Sequence, residues 1–434
     1  MVCHRRMKHF NSMCRGFIPS MWVKILLCVF ITLVLMLNLQ TNIKSIFDIT
    51  EFLKINTNIN KPTAIEFRSI VDDNQQESDE LHFRSSSMES DKSCLPTTRV
   101  VFLKVHKTGS STIANLFQRF GVTHNLNFAV PRKSKHENGY NYIGKPGEAI
   151  RKESLSPIPD NQVYDILWNH VVYDRTAFRS VMPNDTVYIT IIREPFDQFV
   201  SAFEYFKMYG IQLFKNNMAS SISANPISTY LKNISKSESP RKSLSHIRNK
   251  MVADLGMTLT QLADPYKRMD FLRQLNKDFK LVMIMEYFDE SLILLRRSLC
   301  WTHKDILYFP KNKNIFRPRR IFDLEDHKRH RAISFADYEL YDFFYKEFNK
   351  KILRAGDDIF EEVRYFRHLQ KIVWDQCMMK KHVIFPPSKW GASFHVTKEE
   401  CQMMRTGELA FLDYIMNITS AKYIRFLKEK MPEK

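Results

Sequence analysis

Residues 99–121 read RVVFLKVHKTGSSTIANLFQRFG, and this stretch decides the fold. Val100 to Val105 is a short apolar, β-branched run, His106-Lys107-Thr108-Gly109 is a turn, and Ile113, Leu116, Phe117 and Phe120 then recur at helical spacing. Strand, tight loop and helix in that order make a cradle for an anion. The loop and the first helical turn offer N–H groups without intrahelical partners, and the positive end of the helix dipole lies beside them. Lys107 and the hydroxyls of Thr108, Ser110, Ser111 and Thr112 add donors, so a phosphate group is the natural guest. Ser, Thr and Gly are also ordinary capping and turn residues, and it is the flanking strand and helix that favour the anion site. The triphosphate loop GxxxxGK[ST] is missing because the Lys here precedes the Gly, which disfavours an ordinary ATPase or GTPase.

Further strands and helices alternate with this unit, so the sequence predicts an α/β fold with a central, largely parallel sheet. Val163 to Asn169 reads as a second strand ending at His170, Val187 to Ile192 as a buried strand, and Phe279 to Met285 as another. Pro195 suits the first turn of a helix whose apolar face holds Phe199, Phe203 and Phe206. Asp289 is expected to cap the helix that follows the last strand. Ala336 to Ile352 reads as an amphipathic helix with Leu340, Phe344 and Phe348 in a core stripe. Val122 to Gln162 reads as a surface insertion near the acceptor side of the site, and Met218 to Lys250 as irregular and exposed.

At the other end, Met21 to Leu39 is an apolar run about 28 Å long as a helix, close to a bilayer's hydrocarbon thickness. Arg5, Arg6, Lys8 and Arg15 precede it, which keeps the N-terminus cytosolic. The expected organisation is a cytoplasmic tail (1–20), a signal anchor (21–39), a polar and acidic stem (40–98) and a lumenal domain (99–434), a single-pass type II membrane protein. Sequons at Asn184, Asn233 and Asn417 suit a lumenal location, with Asn233 in the loosest segment.

The net charge of +18 fits several polyanions. Without zinc-finger spacing, a basic zipper or an aromatic RNA-binding signature, nucleic acid is not the expected partner. Lys311 to Arg331 is rich in Lys, Arg and His, either a solvated face or a platform for anionic headgroups. Of seven cysteines, Cys94, Cys300, Cys377 and Cys401 lie beyond the apolar segment and can form two disulfides in any of three pairings.

A second anion site is expected where Val187 to Ile192 ends. Arg193 leaves the strand tip and Ser201 lies eight residues on, about two helical turns, on a similar side. The plainer reading pairs Arg193 with Glu194 or Asp197. Two strand-tip anion sites suit a ligand with phosphate at both ends, such as 3′-phosphoadenosine 5′-phosphosulfate.

VFLKVHKTGSST (101–112) and TIIREPFDQFVSAFEYF (190–206) resemble the 5′-phosphosulfate and 3′-phosphate segments of Golgi carbohydrate sulfotransferases. Residues 168–178, 247–256 and 279–301 are together similar to the galactose 3-O-sulfotransferase family, which includes galactosylceramide sulfotransferase. The resemblance implies a P-loop-like sulfotransferase fold and transfer of a sulfuryl group to the 3-hydroxyl of galactose in a glycolipid or a terminal β-galactosyl glycan. It implies a Golgi membrane location and is compatible with a homodimer. The rival reading is a uronyl 2-O-sulfotransferase of glycosaminoglycans, which carries a similar KTGS loop.

That chemistry needs a base at the hydroxyl, a cation at the leaving oxygen and fixed donors around the sulfuryl oxygens. His106 is the expected base and Lys107 the cation, with Thr108, Gly109, Ser110, Ser111 and Thr112 around the 5′ end. Arg193, Ser201 and Arg248 are expected at the 3′-phosphate. His170 is a second catalytic or acceptor-binding candidate, though a lone His at a strand end is more often structural. Lys104 shares the side of His106 and is expected to contact acceptor or sulfate. No metal is required by this scheme. A nucleotide kinase, a nucleotide-sugar glycosyltransferase and a noncatalytic lumenal binding protein are disfavoured by the missing GxxxxGK, the missing Asp-x-Asp and the retained His106, Lys107, Arg193 and Ser201.

Overall fold

The computed structural model describes residues 94–132, 142–144, 147–206, 225–233, 245, 247–311, 320–379 and 381–430. The expected tail, membrane span and nearly all of the stem lie outside the described residues, as do Cys3, Cys14 and Cys28. Among the described residues no helix is long and apolar enough to cross a membrane.

Strand β1 (Val100–Leu103) leads through the loop into α1 (Ser110–Thr123), β2 (Ile166–Leu167) precedes α2 (Arg175–Val181), and β3 (Val187–Ile192) runs into α3 (Pro195–Tyr205). Helices α4 (Pro226–Lys232), α5 (Lys250–Asp254), α6 (Leu259–Ala263) and α7 (Pro265–Asp278) follow, and β4 (Phe279–Ile284) completes the sheet. The strand order is β2-β1-β3-β4 and each neighbouring pair is parallel. Helices on the faces of a parallel sheet bury its strands on both sides, which is why they read as continuous apolar runs. All four residues of β1 are buried.

The predicted α/β architecture is therefore observed. Ile113, Leu116, Phe117 and Phe120 of α1 enter the core, with Phe117 stacked on Phe102 and Phe120 on Trp301. Beyond β4 come α8 (Phe288–Leu299), α9 (His303–Ile306), α10 (Leu324–Ile333), α11 (Phe335–Arg354) and α12 (Ile359–Met378). A small antiparallel pair, β5 (Val383–Phe385) and β6 (Phe394–Val396), precedes α13 (Lys398–Arg405) and α14 (Glu408–Lys430). Helix α11 carries the expected stripe, with Leu340, Phe344 and Phe348 all buried.

Four sequence expectations need correction. The second strand is confined to Ile166–Leu167, since Val163 is exposed and the backbone around Asp165 turns to bond Asn127 and Val100. The 218–250 stretch is not wholly irregular: Asn225 caps α4, whose Ile227, Tyr230 and Leu231 join Phe196, Phe199 and Phe203 of α3 in a second apolar cluster. Phe206, at the C-cap of α3, packs against that cluster as expected and also lies near the His106 ring. Asp289 sits inside the first turn of α8 and accepts bonds from Tyr308 and Arg367, so it does not cap the helix. The described parts of the 122–162 insertion are not all surface, because Phe128, Ala129, Val130, Ile143, Ile150 and Leu155 are buried.

In the described part of the basic run Arg320 pairs with Glu204, Lys328 with Glu325, Arg329 with Asp326 and Arg331 with Asp342, while Lys311 donates to the carbonyls of Met404 and Thr406. Such pairing is what a solvated face shows among the described residues of the run, and residues 312–319 lie outside them. Two disulfides link Cys94 to Cys300 and Cys377 to Cys401. Asn184 and Asn417 are exposed, whereas Asn233 is half-buried at the C-cap of α4 and its amide donates to Thr229 O at 2.9 Å.

Candidate active site

The chain leaves β1 to form β2 on one side and β3 on the other, so the strand order reverses at β1. In such sheets the crevice beyond the carboxyl ends of the two diverging strands is where ligands bind. The carboxyl end of β1 carries the His106-Lys107-Thr108-Gly109 loop, and the neighbouring end of β3 carries Arg193.

Two left-handed residues bend this loop, Lys107 at φ 63° and Gly109 at φ 77°. A Cβ on Gly109 would lie 2.5 Å from Met285 Sδ, so a larger residue here strains the left-handed turn and forces the Met285 side chain to move. Gly109 is also the N-cap of α1, and no side chain caps that helix end. Thr108 Oγ1 and Ser110 Oγ both donate to Val105 O, at 3.1 and 2.6 Å, which braces the loop from inside. Ser111 Oγ donates to Glu408 Oε2 at 2.6 Å, and Thr112 Oγ1 accepts from Lys311 N at 2.9 Å. These hydroxyls thus hold the cradle's shape, and its uncapped helix end is what suits an anion. Lys107 Nζ lies 3.6 Å from the centroid of the Tyr205 ring.

His106 is 7% exposed and held on several sides. Its Nδ1 lies 2.7 Å from Asp254 Oδ2, which also accepts the His106 backbone N–H at 2.9 Å. Its Nε2 lies 2.7 Å from the Tyr142 hydroxyl, and its carbonyl accepts from Gln198 Nε2 at 3.0 Å. Burial, the largest influence on Asp254, acts to raise it, but His106 and Lys250 together hold its carboxyl well below the usual carboxylate range. An ionised Asp254 can only accept, which assigns the proton to Nδ1 and leaves Nε2 to accept from Tyr142. Burial first, then the nearby Asp254 and Tyr205, pushes the Tyr142 hydroxyl up to about 12, so it stays protonated at neutral pH.

His170 joins this cluster, stacked on His106 with its Nδ1 3.1 Å from Lys104 O. Burial, and then the charges of His106, Lys104 and Lys250, keep it well below the ordinary histidine value. The Lys104 ammonium is turned away to the C-terminal helix, where it pairs with Glu408. Arg193 pairs with Asp197 at 3.4 Å, as the plainer reading expected, and also donates to Lys107 O at 3.5 Å. Ser201 is half-buried on α3, and Arg248 lies two residues before α5, its backbone N–H on Ser245 Oγ.

Sequence reasoning missed Tyr142, Asp254, Gln198, Tyr205 and Glu408. Asp254 lies in the 247–256 segment that carried part of the resemblance, and Gln198 and Tyr205 lie in 190–206. Tyr142 and Glu408 come from segments without a readable motif.

A family model described as galactose-3-O-sulfotransferase matches residues 15–390, most of the chain. The protein belongs to the galactose-3-O-sulfotransferase family. Among relatives, galactose-3-O-sulfotransferase 2 of Homo sapiens is 32% identical over 57% of this chain and 60% of its own length. Galactosylceramide sulfotransferase of Homo sapiens is 29% identical over 67% of this chain and 66% of its own length. Galactose-3-O-sulfotransferase 3 of Mus musculus is 32% identical over 67% and 65%. The chain spans less than two thirds of the length of these galactose-3-O-sulfotransferase relatives.

Proposed function

We propose that this protein transfers a sulfuryl group from 3′-phosphoadenosine 5′-phosphosulfate to the 3-hydroxyl of a galactose, in a glycolipid such as galactosylceramide or in a terminal β-galactosyl glycan. The observation that carries the reading is the placement of a carboxylate-bound imidazole, His106, three residues before the uncapped N-terminus of the cradle helix at Gly109. Family membership supports the galactose class over uronyl 2-O-sulfation. The apolar, positively flanked 21–39 run supports a Golgi membrane protein with its catalytic domain in the lumen.

The residues fit the donor: the Gly109 cradle accommodates its 5′ end, while Lys107 and Arg193 supply positive charge on the two neighbouring strand tips. The donor brings an activated sulfur and a stable bisphosphate leaving group. His106 Nε2 takes the proton of the acceptor hydroxyl, and Lys107 balances charge at the leaving oxygen. His170, neutral and packed on His106, lies on the acceptor side. Arg248 and Ser201 complete the 3′-phosphate end.

The test has two arms. Calorimetry on the protein should detect adenosine 3′,5′-bisphosphate, and labelled sulfate transfer should mark galactosylceramide or lactosamine but not desulfated heparan, with linkage analysis giving the 3-position. His106→Ala should abolish turnover and leave bisphosphate binding largely intact. Absence of bisphosphate binding by the intact protein would end this reading.

A further inference from the structure

A neutral imidazole has two tautomers, and only the one protonated at Nδ1 offers a lone pair at Nε2. Three features hold His106 in that form. Asp254 Oδ2 receives both the Nδ1 proton and the residue's own backbone N–H, fixing ring and main chain together. Asp254 Oδ1 receives Lys250 Nζ at 2.8 Å, so both oxygens of the carboxylate have donors although it is 5% exposed. The carboxylate's own helix is pinned. Asp337 accepts the backbone N–H groups of Met251 and Val252 in the first turn of α5, at 3.3 and 2.9 Å. Past its end, Gly256 at φ 92° lies so close to the Tyr173 carbonyl that no Cβ could be accommodated.

Resting on the reading of His106 as the base, we propose that Asp254 is its positioning residue, with Lys250 holding Asp254 in place, and that the Tyr142 hydroxyl marks the seat at Nε2 which the acceptor hydroxyl takes. In the reaction the acceptor O–H proton moves to Nε2 as the new O–S bond forms. The S–O bond to the leaving phosphate breaks with its electron pair on that oxygen. The imidazolium keeps its Nδ1 proton against Asp254, which stays ionised throughout.

Asp254→Asn tests this directly, since a side-chain amide can turn an N–H toward Nδ1 and favour the opposite tautomer. The expected result is a fall in kcat of about 10³-fold or more, with acceptor KM and the affinity for adenosine 3′,5′-bisphosphate changed by about twofold or less. Histidine ¹⁵N NMR of the wild-type protein should show His106 protonated at Nδ1, and the variant should lose that signature. Lys250→Met, which keeps Asp254, should lower kcat by about tenfold with the same unchanged bisphosphate affinity. Unchanged kcat in Asp254→Asn overturns the proposal, and so does a loss of bisphosphate binding that parallels the loss of kcat, because that marks a purely structural residue. If the wild-type protein neither binds bisphosphate nor transfers sulfate, the functional reading fails, and the NMR tautomer still decides whether Asp254 sets the His106 proton.

Discussion

The His170 ring lies 4.0 Å from the His106 ring, tilted by only 19°. Two imidazolium ions stacked at that distance would repel, and His170 is kept neutral by burial first and then by repulsion from any positive charge on His106. Replacing it removes a wall of the site rather than a titrating group. His170→Asn should therefore lower kcat by about 10- to 100-fold at every pH, leaving the shape of the pH–rate profile and the bisphosphate affinity unchanged. Steady-state kinetics across pH together with calorimetry checks this, and disappearance of one limb of the profile would refute it.

Gly109 should be the least replaceable residue of the loop. Gly109→Ala meets both a left-handed φ of 77° and Met285 Sδ, so bisphosphate binding should fall below detection and stability should drop by about 1–3 kcal/mol. Adding Met285→Ala removes the contact but not the backbone strain. The double variant should regain part of the melting temperature and little of the affinity, as calorimetry and thermal melts would show.

The Lys104 ammonium is buried, and burial pushes it below the ordinary lysine range despite the opposing charge and hydrogen bond of Glu408. Breaking such a pair from one side costs more than replacing both members. Glu408→Leu alone should destabilise the protein by about 3–5 kcal/mol, whereas Lys104→Met with Glu408→Leu should recover most of that loss. Denaturant unfolding of the single and double variants measures the cycle, and simple additivity would show that the pair carries no coupling.

Stability near neutral pH should reflect opposing buried groups. Burial raises the Asp337 carboxyl to about 7, so the stability it contributes is full below its unfolded value near 3.8 and is lost as pH rises through about 7. Burial lowers His330 to about 3, and His170 is likewise lowered, so their contribution is full above the unfolded value of 6.5 and lost as pH falls. On acidification from pH 7.5 to 5, Asp337 offsets the histidines. Asp337→Asn should consequently lose more stability over that interval than the wild type, by about 2.5 kcal/mol at most, read from melting curves at the two pH values. An equal or smaller loss in the variant would contradict this balance.

What the sequence disclosed depended on how local the physics was. Val100 to Leu103 and Ile189 to Ile192 are buried on both faces, so their apolar continuity survives in the one-dimensional pattern. The Lys107 to Gly109 turn was legible for the same reason, since a strand-to-helix reversal is settled within a few residues. Ile166–Leu167 was overextended because a short edge strand ends where hydrogen bonds lead elsewhere, and polarity does not record that. The Asp254–His106 pair spans 148 positions and the Tyr142 contact 36, so no periodicity could reveal either. Helix α4 was hidden inside a Ser- and Lys-rich run because its apolar face is only Ile227, Tyr230 and Leu231, too short to stand out.

Glu408 lies past residue 390, where the recognisable family portion stops, yet its carboxylate joins Lys104 at the tip of β1 to Ser111 at the head of α1. Trimming the protein back to that portion would amputate the counter-ion of its central strand and one prop of its anion cradle. A shortened version could keep every motif by which the family is recognised and still lose the groove those motifs build.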